Sequence, residues 1–285
     1  MPAFLAYWVH DLSPFLIRFN DTFGIRYYGV AYIAGFVSAW WLLSRYSARR
    51  LTTISTGELG DLITALVIGV LLGGRLGYFV FYEPEVFLHS PMTLLRVWAG
   101  GMASHGGFIG VAAALWWSSR ATKLPWRHLA DLIASVCGAG LMFGRIANFI
   151  NGELWGKSTT MAWGVIFPDS GPPGTPLHLL LPRHPSQLYA AVLEGLVLLI
   201  GSQLLVHKTS LLRRAPGRIT GWFLVGYAVM RSLSEVFREP DAALILGLSR
   251  GTFYSLFIAA GGLVLLLIPT TPLPDPNKTV TVEKA

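Results

Sequence analysis

The hydrophobic residues of this chain fall into long apolar runs separated by shorter polar segments. Seven of these runs approach the roughly 20 residues that a helix needs to cross the hydrocarbon core of a bilayer. They predict helices at 28–46, 62–82, 103–119, 130–150, 188–206, 219–237 and 252–268. The third and the last runs are the shortest, so re-entrant segments are an alternative there. The pattern predicts an all-α integral membrane protein with seven transmembrane helices.

Composition supports a lipid environment. Hydrophobic residues make up 53% of the 285 residues and charged residues 13%, with a mean hydropathy of +0.54. Soluble domains carry about 25% charged residues, and a soluble fold of this size could not bury so much apolar surface. No composition shift or internal repeat divides the chain, so residues 1–285 are expected to form a single transmembrane domain. Residues 269–285, rich in proline and threonine, are expected to be a disordered cytoplasmic tail.

The Lys and Arg residues are distributed unevenly between the two sets of loops and helix ends. Twelve of the 22 lie in one set and seven in the other, while Arg75, Arg145 and Arg231 fall inside predicted spans. Because cytoplasmic loops carry more Lys and Arg, the richer set predicts an N-terminus outside and a C-terminus in the cytoplasm. The net charge of +7 is therefore interpreted as a topology signal, and no nucleic-acid partner is expected.

Ionisable side chains are costly inside a membrane, and they are candidates for function wherever they occur there. With the predicted orientation, a set of polar residues converges in the outer half of the bilayer or at its outer surface. The set comprises Tyr28, Arg75, His105, Arg145, Asn148, Asn151, Glu153, Arg231 and Glu235. Structural polar residues scattered along the helices would not be expected to share one depth.

Helix spacing adds pairs within this set. Arg145 and Asn148 are three residues apart and share a helix face, and Arg231 and Glu235, four apart, are placed to pair. An alternative is that the second pair only holds helices together. No acid lies within one turn of Arg145, so its charge requires a remote carboxylate or an anionic ligand.

The residue types point to a phosphate-bearing ligand. Guanidinium groups bind phosphate oxygens bidentately, and glycine-rich runs at 73–77, 100–107 and 138–145 either allow close helix packing or expose amides to an anion. An anion at this depth is most simply a phospholipid head group. The motif His-Glu-x-x-His is absent, the single cysteine Cys137 excludes a thiolate cluster, and no metal and no cofactor is expected.

The run from Gly144 to Gly156, GRIANFINGELWG, resembles the signature of the bacterial prolipoprotein diacylglyceryl transferase family. Supporting matches at 28–29, 73–75, 105–107, 183–189 and 226–241 extend the resemblance over nearly the whole chain. It implies a seven-helix enzyme of the bacterial plasma (inner) membrane. Such an enzyme moves the diacylglyceryl group of phosphatidylglycerol to the thiol of a lipobox cysteine in a preprolipoprotein signal peptide, and releases glycerol phosphate.

The resemblance carries site residues with it. The residues that match functionally important positions of the family are Tyr28, His105, Arg145, Asn148, Glu153, Gly156, Arg231 and Glu235. The expected catalytic residues are His105, Arg145 and Arg231. The residues expected to bind phosphatidylglycerol are Tyr28, Arg75, Arg145, Asn148, Asn151, Glu153, Gly156, Tyr227 and Glu235. His105 is expected to assist thiol deprotonation or to protonate a leaving oxygen.

Two positions depart from the family pattern, and two other function classes compete with the transferase. Thr252 stands where the family often has glutamine, and Ala190 where it often has an acid, which leaves open a divergent paralogue with altered substrate preference. A transporter or channel for an anionic substrate also places arginines in the membrane, but with polar residues through its whole depth. A heptahelical receptor is supported by helix number alone.

Overall fold

The structure is a computed structural model that describes residues 7–20, 24–96, 101–240 and 242–273. Seven long helices occur in this part of the chain. They are α1 (Tyr27–Ala48), α2 (Thr56–Tyr82), α3 (Ser104–Thr122), α4 (Trp126–Ile150), α5 (Ser186–Lys208), α6 (Arg218–Glu235) and α7 (Arg250–Leu267). Within α5, the segment Ala191–Val197 is a π-helix. Short helices at Pro84–His89 and Leu211–Arg214 lie in the connections.

Each predicted apolar run coincides with one of these helices, and the third and the last are continuous helices. By length and apolar composition, four helices are suited to crossing a membrane: α2, α4, α5 and α7. The largest boundary difference is at α2, which begins at Thr56 and not at residue 62. Ser55 and Glu58 form a reciprocal capping box there, which satisfies the first amides of the helix upstream of the apolar run.

Consecutive long helices run in opposite directions. The end of α1 and the starts of α2 and α4 share one hydrophobic cluster, which includes Tyr46, Leu59 and Leu129. At this end Asp131 of α4 accepts hydrogen bonds from the amides of Gly217 and Thr220, both at 2.7 Å, and so caps α6 from a neighbouring helix. The opposite end of the bundle holds the start of α1 and the end of α4.

Glycines bring α2 and α3 into backbone contact. A Cβ on Gly69 would lie 2.5 Å from the Gly110 carbonyl oxygen, and one on Gly77 would lie 2.7 Å from the Gly106 Cα. Gly73 packs between them against the Gly106 carbonyl. This is the small-residue packing of membrane helices, and it accounts for the glycines at 69, 73, 77, 106 and 110.

Two small sheets cover the end of the bundle where α1 begins, and the all-α prediction missed them. Strand β1 (Trp8–Val9) pairs in parallel with β4 (Val165–Ile166), and β2 (Phe15–Arg18) pairs with β3 (Gly24–Arg26). Strands of two to four residues are too short to produce a readable alternation in the sequence.

The chain beyond α7 is described as far as residue 273. The Pro269 carbonyl accepts a hydrogen bond from Arg127 at 3.0 Å, and the Leu273 amide donates to the Arg213 carbonyl at 2.9 Å. Residues 274–285 lie outside the described residues, so the expected disorder of the tail stays a prediction.

The glycine contact between α2 and α3 predicts a position-specific loss of stability. In Gly69→Leu the new side chain meets the Gly110 carbonyl, so the helices must separate, and overpacking of this kind costs about 1–3 kcal/mol. We expect a lower unfolding temperature in detergent. The matched control is Gly60→Leu on the same helix, where a Cβ meets nothing within 4 Å. Equal unfolding temperatures for the two variants would contradict the packing argument.

Candidate functional site

Two arginines from different helices bind one buried glutamate. Arg145 of α4 donates from Nε at 3.1 Å and from Nη2 at 2.7 Å to Oε2 of Glu194. Arg231 of α6 donates from Nη1 at 3.2 Å to Oε1 of the same carboxylate. The Glu194 side chain is fully buried on α5. Of the two expected partners for Arg145, a remote carboxylate or an anionic ligand, Glu194 is the remote carboxylate.

Further polar side chains extend this network along α6. Ser234 donates to Oε1 of Glu194 at 2.6 Å, and Arg231 forms the predicted ion pair with Glu235. Arg238 lies with its Nε 3.8 Å from the Glu235 carboxylate. The charges around the network are thus three arginines and two glutamates.

Backbone features of α5 place Glu194. It lies in the π-helical segment Ala191–Val197, where the i→i+5 pattern widens the helix. The next residue, Gly195, packs on α4, because a Cβ there would lie 2.6 Å from the Met142 Cα. A Cβ on Gly138 of α4 would likewise lie 2.7 Å from the Gly195 carbonyl oxygen. This close approach brings the Glu194 carboxylate within reach of Arg145.

A second polar group joins the first turn of α1 to the end of α4. Tyr28 donates its hydroxyl hydrogen to the Glu153 carboxylate, and Asn148 donates from Nδ2 to the same carboxylate at 2.8 Å. Asn148 also contacts the Tyr28 hydroxyl. Asn148 and Arg145 line the same cavity, as their spacing on one helix face predicts.

That cavity is a largely apolar space of about 390 Å³ between α1 and α4, closed on one side by α2. Tyr28, Arg145 and Asn148 form its polar end. Apolar residues such as Ala31, Phe36, Leu66, Ile133 and Val136 line the rest. From Ile133 to Asn148 the wall formed by α4 is about 22 Å long, at 1.5 Å per residue. Its shape and polarity suit an acyl chain that ends in a charged head group.

A second, much smaller cavity lies on the other side of Arg145. It has a volume of about 10 Å³, close to that of one water molecule, and is lined by Arg145, Arg231 and Arg238 together with Ser186 and Gln187. Arg145 therefore separates an apolar cavity from a cluster of cationic and polar side chains. Its own side chain is 18% exposed, so part of the guanidinium remains accessible.

Three other predicted residues surround this region. Asn151 is the C-cap of α4, and its side-chain oxygen is buried without a hydrogen-bond partner among the residues that the structure describes. Gly156 forms a backbone bridge with Arg238, and its amide donates to the His184 carbonyl at 2.9 Å. Tyr227 packs one turn before Arg231 on α6, against a cluster that includes Phe223.

Arg75 and His105 have different surroundings from these residues. Arg75 is buried, and its guanidinium donates to the carbonyl oxygens of Thr93 at 2.6 Å, Arg96 and Gly101 at 3.0 Å, and Leu94 at 3.2 Å. It thereby holds the segment that precedes α3. His105 is exposed in the first turn of α3.

The sequence reasoning did not assign a role to Glu194, and it did not place Arg238 or Ser234 in the site. The signal for Glu194 was indirect: an acid in an apolar run, together with an arginine that lacked a local partner. Ala190, one of the two departures from the family pattern, is buried and lines the small cavity, so the cavity has an aliphatic wall there.

The second departure, Thr252, lies in the first turn of α7. The five residues before it, 247–251, read Gly-Leu-Ser-Arg-Gly. This run has the Gly-x-Ser-x-Gly pattern of serine hydrolases. Here Ser249 is the N-cap of a helix: its hydroxyl accepts from the Thr252 amide at 3.2 Å and donates to the Thr252 hydroxyl at 3.0 Å. In the part of the chain that the structure describes, no three His, Cys, Asp or Glu side chains group to hold a metal ion.

The shared carboxylate predicts a large effect of its removal. In Glu194→Gln the Arg145 guanidinium loses its counter-charge and Arg231 keeps only its pair with Glu235, and breaking a buried ion pair in this way costs about 3–5 kcal/mol. We expect a clearly lower unfolding temperature in detergent. Glu85→Gln, at an exposed glutamate, is the matched control and is expected to unfold as the wild type does. A wild-type unfolding temperature for Glu194→Gln would refute the role of this carboxylate.

Comparison with known proteins identifies the family. A family model described as prolipoprotein diacylglyceryl transferase matches residues 14–268. A phosphatidylglycerol–prolipoprotein diacylglyceryl transferase of Pseudoalteromonas atlantica is 44% identical over 250 residues, which cover 85% of this chain and 84% of the relative. The protein of the same name from Rhodospirillum rubrum is 43% identical over 262 residues, which cover 90% of this chain and 92% of the relative. This chain belongs to the prolipoprotein diacylglyceryl transferase family.

Proposed function

We propose that this protein transfers the diacylglyceryl group of phosphatidylglycerol to the cysteine thiol of a preprolipoprotein and releases glycerol phosphate. This transfer is the first step of lipoprotein maturation, and the names of the relatives favour it over transport of an anion. The observation that carries the proposal is the position of Arg145. It stands between an apolar cavity with room for an acyl chain and a group of arginines suited to a phosphate.

The lipid binds with its acyl chains along α1 and α4 and its head group at Arg145. Glu194 takes two of the five N–H donors of Arg145, and the side chain remains partly accessible, so further donors can meet a phosphate oxygen. Tyr28, Asn148 and Glu153 form a hydrogen-bonding group at the same end of the cavity, where they position the glycerol hydroxyls. Asn151, Gly156 and Tyr227 support the surrounding backbone and helix packing.

The chemistry is a displacement at carbon. The thiolate sulfur attacks the glyceryl carbon that bears the phosphate ester, a C–S bond forms, and the C–O bond breaks with its electron pair on the phosphate oxygen. Arg145 and Arg231 stabilise the charge that grows on this phosphate, as preorganised donors do. Glu235 pairs with Arg231 and orients it. The Glu194 carboxylate fixes the two arginines relative to each other.

His105 accepts the thiol proton. It is exposed in the first turn of α3, at the end of the bundle that also holds Tyr28, so an incoming thiol can reach its ring. A free thiol is mostly protonated at neutral pH, and a nearby base raises the thiolate fraction. Arg75 acts from a distance in this scheme, by holding the segment before α3 through four carbonyl groups.

The chain forms one transmembrane transferase domain of seven helices in the bacterial plasma (inner) membrane. The N-terminus faces outward and the C-terminus faces the cytoplasm. The alternating helix directions and the excess of Lys and Arg at one end of the bundle support this topology. The thiol donor is the lipobox cysteine of a signal peptide, which this topology meets at the outer face.

Lipid transfer is tested with purified protein in phosphatidylglycerol vesicles, by following labelled diacylglyceryl groups onto a lipobox peptide. We expect Arg145→Lys and Arg231→Lys to lower kcat/KM about 100–1,000-fold, because lysine lacks the bidentate fork and one lost donor costs that much. His105→Gln is expected to lower it about 100-fold or more, through loss of the general base.

Exposed positions supply the controls for this assay: Arg49→Lys and His178→Gln are expected to keep the wild-type rate. Near-wild-type transfer by His105→Gln would show that His105 is not the general base. Near-wild-type transfer by Arg145→Lys would show that Arg145 does not bind the phosphate bidentately. A wild-type protein that moves anions across the vesicle membrane and lipidates no peptide would overturn the proposed function.

Topology is tested by labelling with a membrane-impermeant maleimide. Cys137 is the single cysteine, so Cys137→Ser provides a cysteine-free background. In intact spheroplasts we expect a cysteine at Asp169 to be labelled and one at Ser210 to be labelled only after lysis, because these exposed positions lie at opposite ends of the bundle. Labelling of both positions in intact cells would contradict the proposed orientation.

A further inference from the structure

The α2–α3 pair carries an open apolar groove on its outside. The groove has a volume of about 690 Å³, and its walls include Ile68, Leu72, Val80 and Trp116, each of which is about half exposed. From Ala65 to Phe81 it extends about 24 Å along α2, at 1.5 Å per residue. Its floor is formed by the glycines where the two helices touch, so another backbone can approach closely.

An acidic pocket continues the groove at the end where α2 begins. This pocket has a volume of about 400 Å³ and is lined by Glu58 and Asp61, and it shares Ala65, Ile68 and Trp117 with the groove. Glu58 is half-buried and Asp61 is exposed. The two features therefore form one continuous surface, apolar over most of its length and anionic at one end.

The carboxylates of Glu58 and Asp61 differ in charge from the residues around them. They lie at the end of the bundle that carries the excess of Lys and Arg. Asp131, at the same end, is buried and is occupied by the amides of Gly217 and Thr220. Glu58 accepts hydrogen bonds from the Ser55 amide and hydroxyl through Oε2, both at 2.7 Å, while Asp61 is exposed. Two acids at a cationic membrane face favour a cationic group and disfavour the anionic lipids of the cytoplasmic leaflet.

We propose that this groove binds the signal peptide of the prolipoprotein substrate, an inference that rests on the proposed function. A signal peptide has a basic first segment followed by 7–15 apolar residues, which as a helix span about 10–22 Å. The basic segment lies at Glu58 and Asp61, and the apolar helix lies along the glycine floor. Charge, polarity and length of the groove all match this occupant.

The opposite end of the groove reaches the proposed general base. Gly106 lines the groove and contacts Gly73 and Gly77 across the helix pair, and His105 is its neighbour in the first turn of α3. A peptide bound with its basic segment at Asp61 therefore directs its following residues toward His105. In a lipoprotein precursor, the acceptor cysteine follows the apolar segment, so the groove delivers the thiol to the end of the bundle where the lipid head group binds.

Binding is measured with a fluorescent lipobox peptide whose cysteine is replaced by serine, so that no transfer occurs, and with wild-type protein and variants in phosphatidylglycerol nanodiscs. We expect Asp61→Lys to weaken binding of a peptide with a lysine-rich first segment at least tenfold. A peptide whose lysines are replaced by glutamates is expected to recover binding to Asp61→Lys. This charge exchange separates direct contact from loss of folding.

The apolar part of the groove is tested with a matched pair on α3. Ala113 and Ala112 are both exposed, and only Ala113 lines the groove. Ala113→Trp is expected to weaken peptide binding at least tenfold, while Ala112→Trp binds as the wild type does. Asp169→Lys, an equal charge change in the loop after α4, is expected to leave peptide binding unchanged.

The outcomes distinguish the groove from the enzymatic activity. Wild-type affinity of both Asp61→Lys and Ala113→Trp for the serine peptide would overturn the groove, even if lipid transfer proceeds normally. A wild-type protein that binds the serine peptide in the groove and transfers no lipid to the cysteine peptide would instead overturn the proposed function. If Ala113→Trp weakens phosphatidylglycerol binding and leaves peptide binding intact, the groove is a lipid site and the proposal fails.

Discussion

The carboxylate of Glu194 holds three helices of this protein at one depth. It lies fully buried on α5 and binds Arg145 of α4 through one oxygen and Arg231 of α6 through the other. A guanidinium in hydrocarbon needs a counter-charge, and here two of them share the Glu194 carboxylate, while Glu235 supplies a second one to Arg231. The polar end of the apolar cavity, the small cavity beyond Arg145 and the end of α6 are all positioned by this shared contact.

The arrangement also leaves arginine side chains where the proposed reaction places a phosphate. Arg145, Arg231 and Arg238 line the small cavity, and the carboxylates of Glu194 and Glu235 that pair with them lie outside its lining, so an anion on this side of Arg145 meets cationic side chains. The chain belongs to the prolipoprotein diacylglyceryl transferase family, and in the proposed reaction these arginines bind the phosphate of the lipid head group.

Much of this could be predicted from the sequence. Apolar run length located the long helices, and the shared depth of Arg145 and Arg231 indicated that they converge. The pairing of Arg231 with Glu235 followed from their spacing of four residues. These features depend on local periodicity or on distance along a helix axis, both of which can be counted in the sequence.

Other features depend on how separate segments of the chain face each other in space, and residue spacing in the sequence does not give this arrangement. Glu194 is 49 residues from Arg145, and its direction is set by an irregular helical segment and by glycines on two helices. The four carbonyl partners of Arg75 come from the connection before α3, two of them from the 3-10 helix Pro91–Leu95, which is too short to be recognised from periodicity. The early start of α2 was readable from Ser55 and Glu58, but the charged residues there hid it from a search for apolar runs.

The π-helical segment of α5 has a consequence for how the site is encoded. Each residue of an α-helix turns the chain by about 100°, so a local change in the number of residues per turn alters the angular relation between the two parts of α5. Ser186 and Gln187 precede the segment Ala191–Val197 and face the loop after α4, to whose carbonyls they donate hydrogen bonds. Deleting one residue from that segment would keep every side chain of the site in the sequence and still aim Glu194 away from the arginines. Chain length in this stretch is therefore as much a determinant of the site as residue identity.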